Sequence, residues 1–268
     1  IPRIAGIKQC FRTAKYFKSL GVNLIHSFHY GADYSEAIAA KISGIPWIYT
    51  KKNMNWGGSS KNGWKTRTYL ASHIMVQNTD MLKRFFPKSN KVSLVPRGVD
   101  TSDFKKRSKN SKIMNHLQID EKEIVILCVA NLHPVKGVEI LLHAFDRLFE
   151  RDNHCRLLIV GDNDNDYGRE LINISKKLIS SSKIEFIGQV FNVKDYYSIS
   201  DIFVLPTLDV GRVEGSPVSL LEGLSCRKKV LASNVSGIKD ILLNFPECLF
   251  KPGDVDDLYN KLNDLLYK

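Results

Sequence analysis

The chain has 268 residues, of which 43% are hydrophobic and 25% are charged. This composition excludes a disordered chain, a coiled coil and a small disulfide-stapled domain, and at roughly 100–200 residues per domain the length favours two domains. No run of about 18 apolar residues occurs, so the sequence predicts no transmembrane helix.

The net charge is strongly positive, because 39 lysines and arginines outnumber 28 aspartates and glutamates to give +11. Such an excess favours phosphate-rich partners: a nucleic acid, an anionic membrane surface or a phosphorylated small molecule. A solvated, lysine-rich surface explains it equally well. Nucleic-acid binding is the least favoured of these, because the interleaved aromatic residues of a stacking platform are missing.

The cysteines and histidines predict no metal site. The five cysteines are scattered without a CxxC pair, and the seven histidines form no HExxH motif. Unpaired, scattered cysteines favour a reducing, cytoplasmic compartment. Ile1 is not followed by a charged and then apolar leader, so we expect an N-terminal piece to be missing or removed.

The first hundred residues predict an incomplete alternation of helices and strands. We predict helices at residues 5–19, 33–42 and 80–85, and strands at 23–28, 46–50, 74–76 and 91–95. Between them, residues 51–65 contain three glycines and two tryptophans and predict a long loop. A domain of this kind usually opens with further strands, so the first domain is predicted to be incomplete.

The second half of the chain alternates strictly between apolar strands and amphipathic helices. The predicted strands are residues 124–129, 156–160, 184–187, 202–205, 229–232 and 248–250, and the helices are 138–149, 167–179, 193–199, 217–225, 238–243 and 255–266. This pattern is typical of an α/β domain with a doubly wound parallel sheet.

The two halves together predict two Rossmann-like domains that face each other across a cleft. Residues 1–104 form the partial N-terminal domain, the polar residues 105–120 form a linker, and residues 121–268 form the C-terminal domain. Ligands of open α/β sheets bind beyond the carboxyl ends of the strands, so we expect the ligand in the cleft.

Two glutamates are separated by seven residues in the segment EGSPVSLLE, residues 214–222. Gly215 and Pro217 place Glu214 in the turn before a helix, and Glu222 follows about two turns inside it, so both carboxylates can face one side. Carboxylates accept hydrogen bonds from vicinal hydroxyls, which suits a sugar and a ribose, and the helix start suits an anion. A helix-capping pattern is the competing explanation, because such spacing is common by chance.

Lys136 lies between a predicted strand and a predicted helix, in VANLHPVKG, residues 129–137. A cation at a helix start, followed by a glycine that lets the backbone approach closely, predicts a phosphate site.

Residues 162–166, DNDND, resemble the start of a calcium loop. However, Tyr167 and Asn173 occupy the positions where such a loop needs glycine and glutamate, so a helix-capping turn is favoured.

The order of these motifs resembles the GT4 family of retaining glycosyltransferases, which have the GT-B fold. The motifs that carry the resemblance are VPRGVDTSDF (95–104), VANLHPVKGVEILLHAF (129–145), LLIVGD (157–162), IEFIGQV (184–190), SDIFVLP (200–206), EGSPVSLLEGLS (214–225) and VLASNVSGIKDIL (230–242). The resemblance runs from about Asn23 onward. Relative to the family the chain is expected to be truncated at both ends, before Ile1 and after Lys268.

The resemblance implies a role for each matching residue. Lys136 would neutralise the donor diphosphate as the nucleotide leaves, and Glu214 would contact hydroxyls of the transferred sugar; these two are the predicted catalytic residues. Glu222 would bind the ribose hydroxyls. The backbone of Ser216 and Val218 would lie near the sugar or phosphate.

The remaining matching positions concern the base and the diphosphate. The loop Gly188–Val190 would line the base pocket. Asn131 stands where the family usually carries arginine, so the second diphosphate cation is either missing or supplied from elsewhere, with Arg97 or Arg212 as the candidates. Lys52 stands where a sugar-contacting histidine is common.

The implied reaction moves a hexose from a nucleotide-diphosphate sugar, of UDP or GDP type, to a glycan or lipid-linked acceptor, as in polysaccharide or lipopolysaccharide biosynthesis. The resemblance implies no metal and no cofactor besides this donor substrate. We expect a cytoplasmic protein that associates peripherally with the inner face of the membrane, since an anionic lipid surface suits its charge.

Two other readings remain open at this point. A metal-dependent GT-A transferase would use Asp162 and Asp164 as its DxD motif, although the paired glutamates and two-domain pattern disfavour it. A non-catalytic nucleotide- or glycan-binding remnant of a GT-B enzyme is the second alternative, because the acceptor half is incomplete.

Overall fold

A computed structural model describes residues 6–28, 34–55, 61–210 and 215–267 of the chain. The described residues form two compact units. Unit 1 contains those up to Arg97 together with Gly215 and Ser216. Unit 2 contains those from Gly98 to Val210 and from Pro217 onward.

Unit 1 is built on a four-stranded parallel sheet in which strand order follows chain order, β1-β2-β3-β4. Its strands are β1 (Ile25–Ser27), β2 (Trp47–Lys51), β3 (His73–Val76) and β4 (Val92–Leu94), and its helices are α1 (Ile7–Ser19), α2 (Tyr34–Ser43), α3 (Lys61–Leu70) and α4 (Thr79–Phe85).

The predicted strands and helices of this half are confirmed, with one correction. Helix α3 already begins at Lys61, so the prediction of a loop over residues 51–65 is wrong for residues 61–65, which are helical. Trp64, one of the two tryptophans of that segment, is buried beside Phe85 and Phe86 and so belongs to the packed part of the unit. Residues 56–60, with Gly57 and Gly58, lie outside the described residues.

The core of unit 1 forms around the interior strand β2. Trp47 and Tyr49 are fully buried on it and stack at 5.3 Å between ring centroids. The indole N–H of Trp47 donates to Ser27 Oγ at 2.7 Å, which satisfies its polar atom in the interior. Asn78 caps helix α4, because its side chain accepts from Met81 N at 2.7 Å.

Unit 2 is built on a six-stranded parallel sheet of order β10-β9-β8-β5-β6-β7. Its strands are β5 (Ile124–Val129), β6 (Cys155–Val160), β7 (Ile184–Gly188), β8 (Ile202–Leu205), β9 (Lys229–Ser233) and β10 (Leu249–Phe250). Its helices are α5 (Ser111–His116), α6 (Val138–Arg151), α7 (Asp166–Ser175), α8 (Lys194–Ile199), α9 (Val218–Ser225), α10 (Ile238–Ile241) and α11 (Val255–Tyr267).

Both faces of the unit 2 sheet are covered, as its apolar strands predict. Successive residues of β5 alternate between two cores: Ile126 and Cys128 pack on the side of α6 and α11, and Val125 and Leu127 pack on the other side. The prediction of an α/β fold with two Rossmann-like parallel sheets is therefore confirmed.

Residues 105–120, which the sequence predicts as a linker, belong to unit 2. Met114 and Ile119 are buried in the core on the β5 face that carries Val125. The side chain of Asn110 caps α5 by accepting from Lys112 N at 3.1 Å. The segment is polar because only a few of its side chains face the core, and the division between the units falls at Arg97 rather than at residue 104.

A buried charge cluster lies at the amino end of the unit 2 sheet. Glu123 and Arg156 are both buried, with Arg156 Nε 3.4 Å from Glu123 Oε2. Arg156 also donates to the carbonyl oxygens of Leu117 and Gln118, each at 3.2 Å. Burial opposes ionisation of Glu123, but the hydrogen bond from Lys183 and the charge of Arg156 bring its pKa below the ordinary value.

We expect Arg156→Met to lower the free energy of unfolding by about 2–4 kcal/mol, because it leaves the Glu123 carboxylate buried with Lys183 as its remaining cation. The matched control is Arg169→Met, which removes ion pairs to Asp164 and Asp166 from the surface and is expected to cost less than about 1 kcal/mol. Urea denaturation followed by circular dichroism measures both. Equal losses in the two variants would contradict the structural role of the cluster.

Candidate functional site

The loops that follow the strands of unit 2 all leave the sheet at one edge, because every strand is parallel to its neighbours. Six of the predicted site residues lie on these loops or on the helix that follows. Asn131 and Lys136 follow β5, Gly188 ends β7 and Val190 follows it, and Val218 and Glu222 lie on α9 after β8. Strands β5 and β8 are direct neighbours in the sheet.

Lys136 ends a short 3-10 turn, Pro134–Lys136, whose position is fixed by the loop after β8. Leu208 N donates to Val135 O at 2.8 Å. Gly137 follows at φ +61, and a Cβ there would lie 2.2 Å from Pro206 O. Only glycine fits this position, so Gly137 holds Lys136 at the start of α6.

The side chain of Lys136 is half-buried, and Asn131 at the other end of the loop is exposed. Burial lowers the pKa of Lys136, since the ammonium is partly withdrawn from water. Burial also raises the pKa of the neighbouring Cys128 thiol to about 12, so this group stays neutral. A partly desolvated cation at a helix start is a site that favours an anion.

The loops after β6 and β7 approach each other through two glycines. Gly161 N donates to Gly188 O at 3.0 Å, and a Cβ on Gly161 would lie 1.9 Å from Ala130 O. Gly188 adopts φ +80, and Val190 is half-buried against the core. The next residue, Phe191, is fully exposed.

Glu222 is half-buried on α9, and a buried tyrosine holds it. The hydroxyl of Tyr197 lies 3.0 Å from Glu222 Oε2 and 2.8 Å from Ser219 O. Burial raises the pKa of Glu222, and the hydrogen bond from Tyr197 acts in the opposite direction. The sequence analysis missed Tyr197, because nothing in its local pattern distinguishes it from an ordinary core residue of α8.

Ser216, which the resemblance places near the sugar or phosphate, is part of unit 1. Its preceding residue is held there: Asn78 Nδ2 donates to Gly215 O at 2.8 Å, and a Cβ on Gly215 would lie 2.2 Å from Lys52 O. Ser216 is buried, and its Oγ has no hydrogen-bond partner in the part of the chain that the structure describes. Glu214 lies outside the described residues, as does Arg212.

The cationic residues named at the sequence level in unit 1 lie near one aromatic ring. Lys52 Nζ is 4.5 Å from the ring centroid of Phe28, and the Arg97 guanidinium carbon is 6.0 Å from it. Cations at these distances interact with the ring face. Neither residue is assigned to a diphosphate by this geometry.

The aspartates of residues 162–166 form a helix-capping turn. The side chain of Asn165 caps α7 by accepting from Gly168 N at 2.9 Å. Arg169 pairs with Asp164 at 3.1 Å and with Asp166 at 2.8 Å. Within the described ranges, no cluster of three histidine, cysteine or acidic side chains is arranged to hold a metal ion. None of the described helices is both long and apolar enough to cross a bilayer.

Comparison with known proteins assigns a family to the part of the chain that carries this site. The family model for glycosyl transferases group 1 matches residues 109–268. The chain is 28% identical over 195 residues to a sulfoquinovosyl transferase of Arabidopsis thaliana. The aligned region covers 70% of this chain and 36% of the relative.

Two bacterial relatives extend over nearly the whole chain. The N,N'-diacetylbacillosaminyl-diphospho-undecaprenol alpha-1,3-N-acetylgalactosaminyltransferase of Campylobacter jejuni is 23% identical, over 97% of this chain and 72% of the relative. The UDP-Gal:alpha-D-GlcNAc-diphosphoundecaprenol alpha-1,3-galactosyltransferase of Escherichia coli is 24% identical, over 98% of this chain and 71% of the relative. The chain thus spans between about a third and three quarters of the length of these three relatives.

Solved structures match the fold. HepE of Anabaena, in complex with UDP and glucose, has a TM-score of 0.83 at 20% identity, and the match covers all of this chain and 75% of HepE. A glycosyltransferase of Rickettsia africae has a TM-score of 0.84 at 19% identity, over 97% of this chain and 72% of its own. The fold is GT-B, and since the family model covers more than half of the sequence, the chain belongs to the glycosyl transferases group 1 family.

Proposed function

We propose that the protein is a retaining, metal-independent glycosyltransferase of the GT4 type, which transfers a hexose from a UDP-sugar to a glycan or lipid-linked acceptor. The observation that carries the proposal is that Lys136 and Glu222 lie on the segments that follow two neighbouring strands of the unit 2 sheet. One is a half-buried cation after β5 and the other a half-buried carboxylate after the neighbouring strand β8.

Lys136 binds the diphosphate of the donor in this proposal. Its lowered pKa reflects the loss of water around the ammonium, and a diphosphate restores the lost electrostatic stabilisation. Negative charge on the diphosphate grows as the sugar–oxygen bond breaks, so the cation stabilises the transition state more than the ground state. Asn131, where the family usually carries arginine, supplies an amide rather than a second charge.

Glu222 binds the two ribose hydroxyls. Its raised pKa reflects a carboxylate that burial disfavours, and hydrogen bonds from the vicinal diol compensate for the missing water. The backbone of Gly188 and the side chain of Val190 line the base pocket. We choose UDP because HepE and other similar structures were solved with UDP or UDP-sugars bound.

The transfer step uses the leaving diphosphate as the base. The acceptor hydroxyl attacks the anomeric carbon on the face from which the diphosphate departs, and a phosphate oxygen takes the hydroxyl proton. The configuration of the anomeric carbon is therefore retained. From the resemblance to the family, Glu214 is assigned to hydroxyls of the transferred sugar.

The acceptor class follows from the relatives and the charge. The relatives of Campylobacter jejuni and Escherichia coli are named for diphospho-undecaprenol substrates, which carry phosphates on a lipid. The net charge of +11 favours an anionic bilayer at which such a lipid is presented. We propose a cytoplasmic protein that binds peripherally to the inner face of the membrane.

Nucleotide binding tests the two key residues. Calorimetric titration of UDP, GDP and ADP in the presence of EDTA should show binding of UDP. Lys136→Ala and Glu222→Ala should each weaken UDP binding by about 10–100-fold, because each removes a hydrogen-bonded charge. The controls Lys177→Ala and Glu170→Ala, both exposed on unit 2, should leave the affinity unchanged.

The outcomes of this titration test the choice of nucleotide base and the choice of binding site separately. Binding of GDP or ADP in place of UDP would overturn the choice of base alone. No binding of any diphosphate, or full affinity in both Ala variants, would overturn the proposed site.

Metal independence is tested by the release of UDP from UDP-glucose, with water as the acceptor. We expect the same rate in EDTA and in Mn²⁺, and an unchanged rate for the double variant Asp162→Asn and Asp164→Asn. The reason is that Lys136, rather than a metal, carries the positive charge at the diphosphate, while Asp164 is paired with Arg169. Loss of the reaction in EDTA would support the metal-dependent alternative. Tight UDP-glucose binding with no UDP released would support the non-catalytic binder.

Membrane association is tested by co-sedimentation with vesicles. We expect binding to vesicles that contain phosphatidylglycerol, none to pure phosphatidylcholine, and release at about 0.5 M salt, where charges are screened within a few ångströms. Equal binding to both vesicle types would show that charge does not drive the association.

A further inference from the structure

We infer that Tyr197 is a positioning residue for Glu222, and that through it the protein distinguishes ribose from 2′-deoxyribose in its donor. This inference rests on the proposed function, in which Glu222 binds the ribose. Its basis is the hydrogen bond of 3.0 Å between the Tyr197 hydroxyl and Glu222 Oε2.

Among the described residues, the hydroxyl of Tyr197 donates to Glu222 and to the backbone of α9, the helix that carries Glu222. It has one hydrogen and two acceptors within reach, Glu222 Oε2 at 3.0 Å and Ser219 O at 2.8 Å. The tyrosine is 0% exposed, so water does not compete for this hydrogen. Both acceptors lie on α9, and Tyr197 therefore sets the orientation of the carboxylate relative to the helix that carries it.

The phenol is the donor and the carboxylate is the acceptor. Burial raises the pKa of Tyr197 far above its ordinary value, and the charge of Glu222 raises it further, so the hydroxyl keeps its proton. A carboxylate oxygen has two acceptor positions. Tyr197 takes one of those on Oε2, which leaves Oε1 and the second position on Oε2 for a vicinal diol.

The ring of Tyr197 is held by two phenylalanines. Phe203 lies 5.7 Å from it and Phe104 lies 6.2 Å from it, between ring centroids, with Phe104 edge-on. Ser225 Oγ donates to Phe104 O, so α9 is tied to the same support. A hydroxyl on a ring packed in this way reduces the cost of ordering Glu222 when the nucleotide binds.

Replacing the hydroxyl also changes the charge state of Glu222. The hydrogen bond from Tyr197 offsets part of the rise that burial causes in the pKa of Glu222, so its loss raises that pKa further. The other titratable groups that face this pair are Cys226 after α9 and Cys128 on β5, and burial raises the pKa of both thiols. Both thiols stay neutral, so a shift of the acid limb of UDP binding reports on Glu222.

The test compares UDP with 2′-deoxy-UDP by calorimetry. We expect the unmodified protein to bind UDP about tenfold or more tightly than 2′-deoxy-UDP, and Glu222→Ala to abolish this preference. Tyr197→Phe should reduce the preference about fivefold and move the acid limb of UDP binding to higher pH. In the Glu222→Ala background, Tyr197→Phe should change nothing further, because Tyr197 acts through Glu222.

Two further variants complete the design. Tyr196→Phe removes a hydroxyl from the neighbouring residue of α8 and should leave the preference unchanged. Phe104→Leu keeps the Tyr197 hydroxyl but removes one supporting ring, and should reduce the preference to a smaller extent. It provides a second measurement should Tyr197→Phe fold poorly.

The results also separate this inference from the proposed function. If Tyr197→Phe weakens UDP and 2′-deoxy-UDP equally, with no shift of the acid limb, the tyrosine is a purely structural residue and the inference is wrong. The proposed function then still stands on Glu222→Ala. If the unmodified protein binds none of the nucleoside diphosphates, the proposed function and this inference fail together. If Glu222→Ala alone keeps full affinity for UDP, the assignment of the ribose to Glu222 and this inference fail, while the role of Lys136 is still tested by Lys136→Ala.

Discussion

The parallel ladder of unit 2 is the constraint on which the rest of this unit depends. Parallel strands that are covered on both faces expose only their ends, and all carboxyl ends share one edge. The loops at that edge pack against one another so closely that backbone fills the space of a side chain at Gly137 and Gly161. Rigid backbone at the edge in turn fixes the position of Lys136, just before helix α6.

Positions fixed in this way carry charged groups that are half removed from water. Burial lowers the pKa of Lys136 and raises the pKa of Glu222, so in both cases it disfavours the charged form. A ligand that brings phosphates to Lys136 and hydroxyls to Glu222 reverses part of the free-energy cost of burying these charges. The fold therefore holds two groups whose interactions with solvent are incomplete, and in the proposed function a nucleotide diphosphate supplies replacements for both.

Local patterns predicted the strands of unit 2 and the location of Lys136, because buried strands and strand–helix turns leave clear signals in a single stretch of sequence. Contacts between distant residues left no such signal. The segment 105–120 reads as polar, yet Met114 and Ile119 are enough to anchor it in the core. Tyr197 and Glu222 are hydrogen-bonded although they lie 25 positions apart in the sequence, and Gly215 and Asn78 lie 137 positions apart. Neither contact could be derived from the spacing of residues in the sequence.

Two glutamates of unit 2 show how a structural carboxylate differs from the one proposed to bind the ligand. Glu123, at the amino end of the sheet, is buried, but the Lys183 and Arg156 cations hold its pKa below the ordinary value. Glu222, on helix α9 after β8, has the neutral Tyr197 hydroxyl beside it, and its pKa is raised. The interactions inside the protein already compensate the first group for its burial. The hydrogen bond from Tyr197 orients the Glu222 carboxylate but does not compensate it for its burial. Under this condition hydrogen bonds from a ribose add the most affinity.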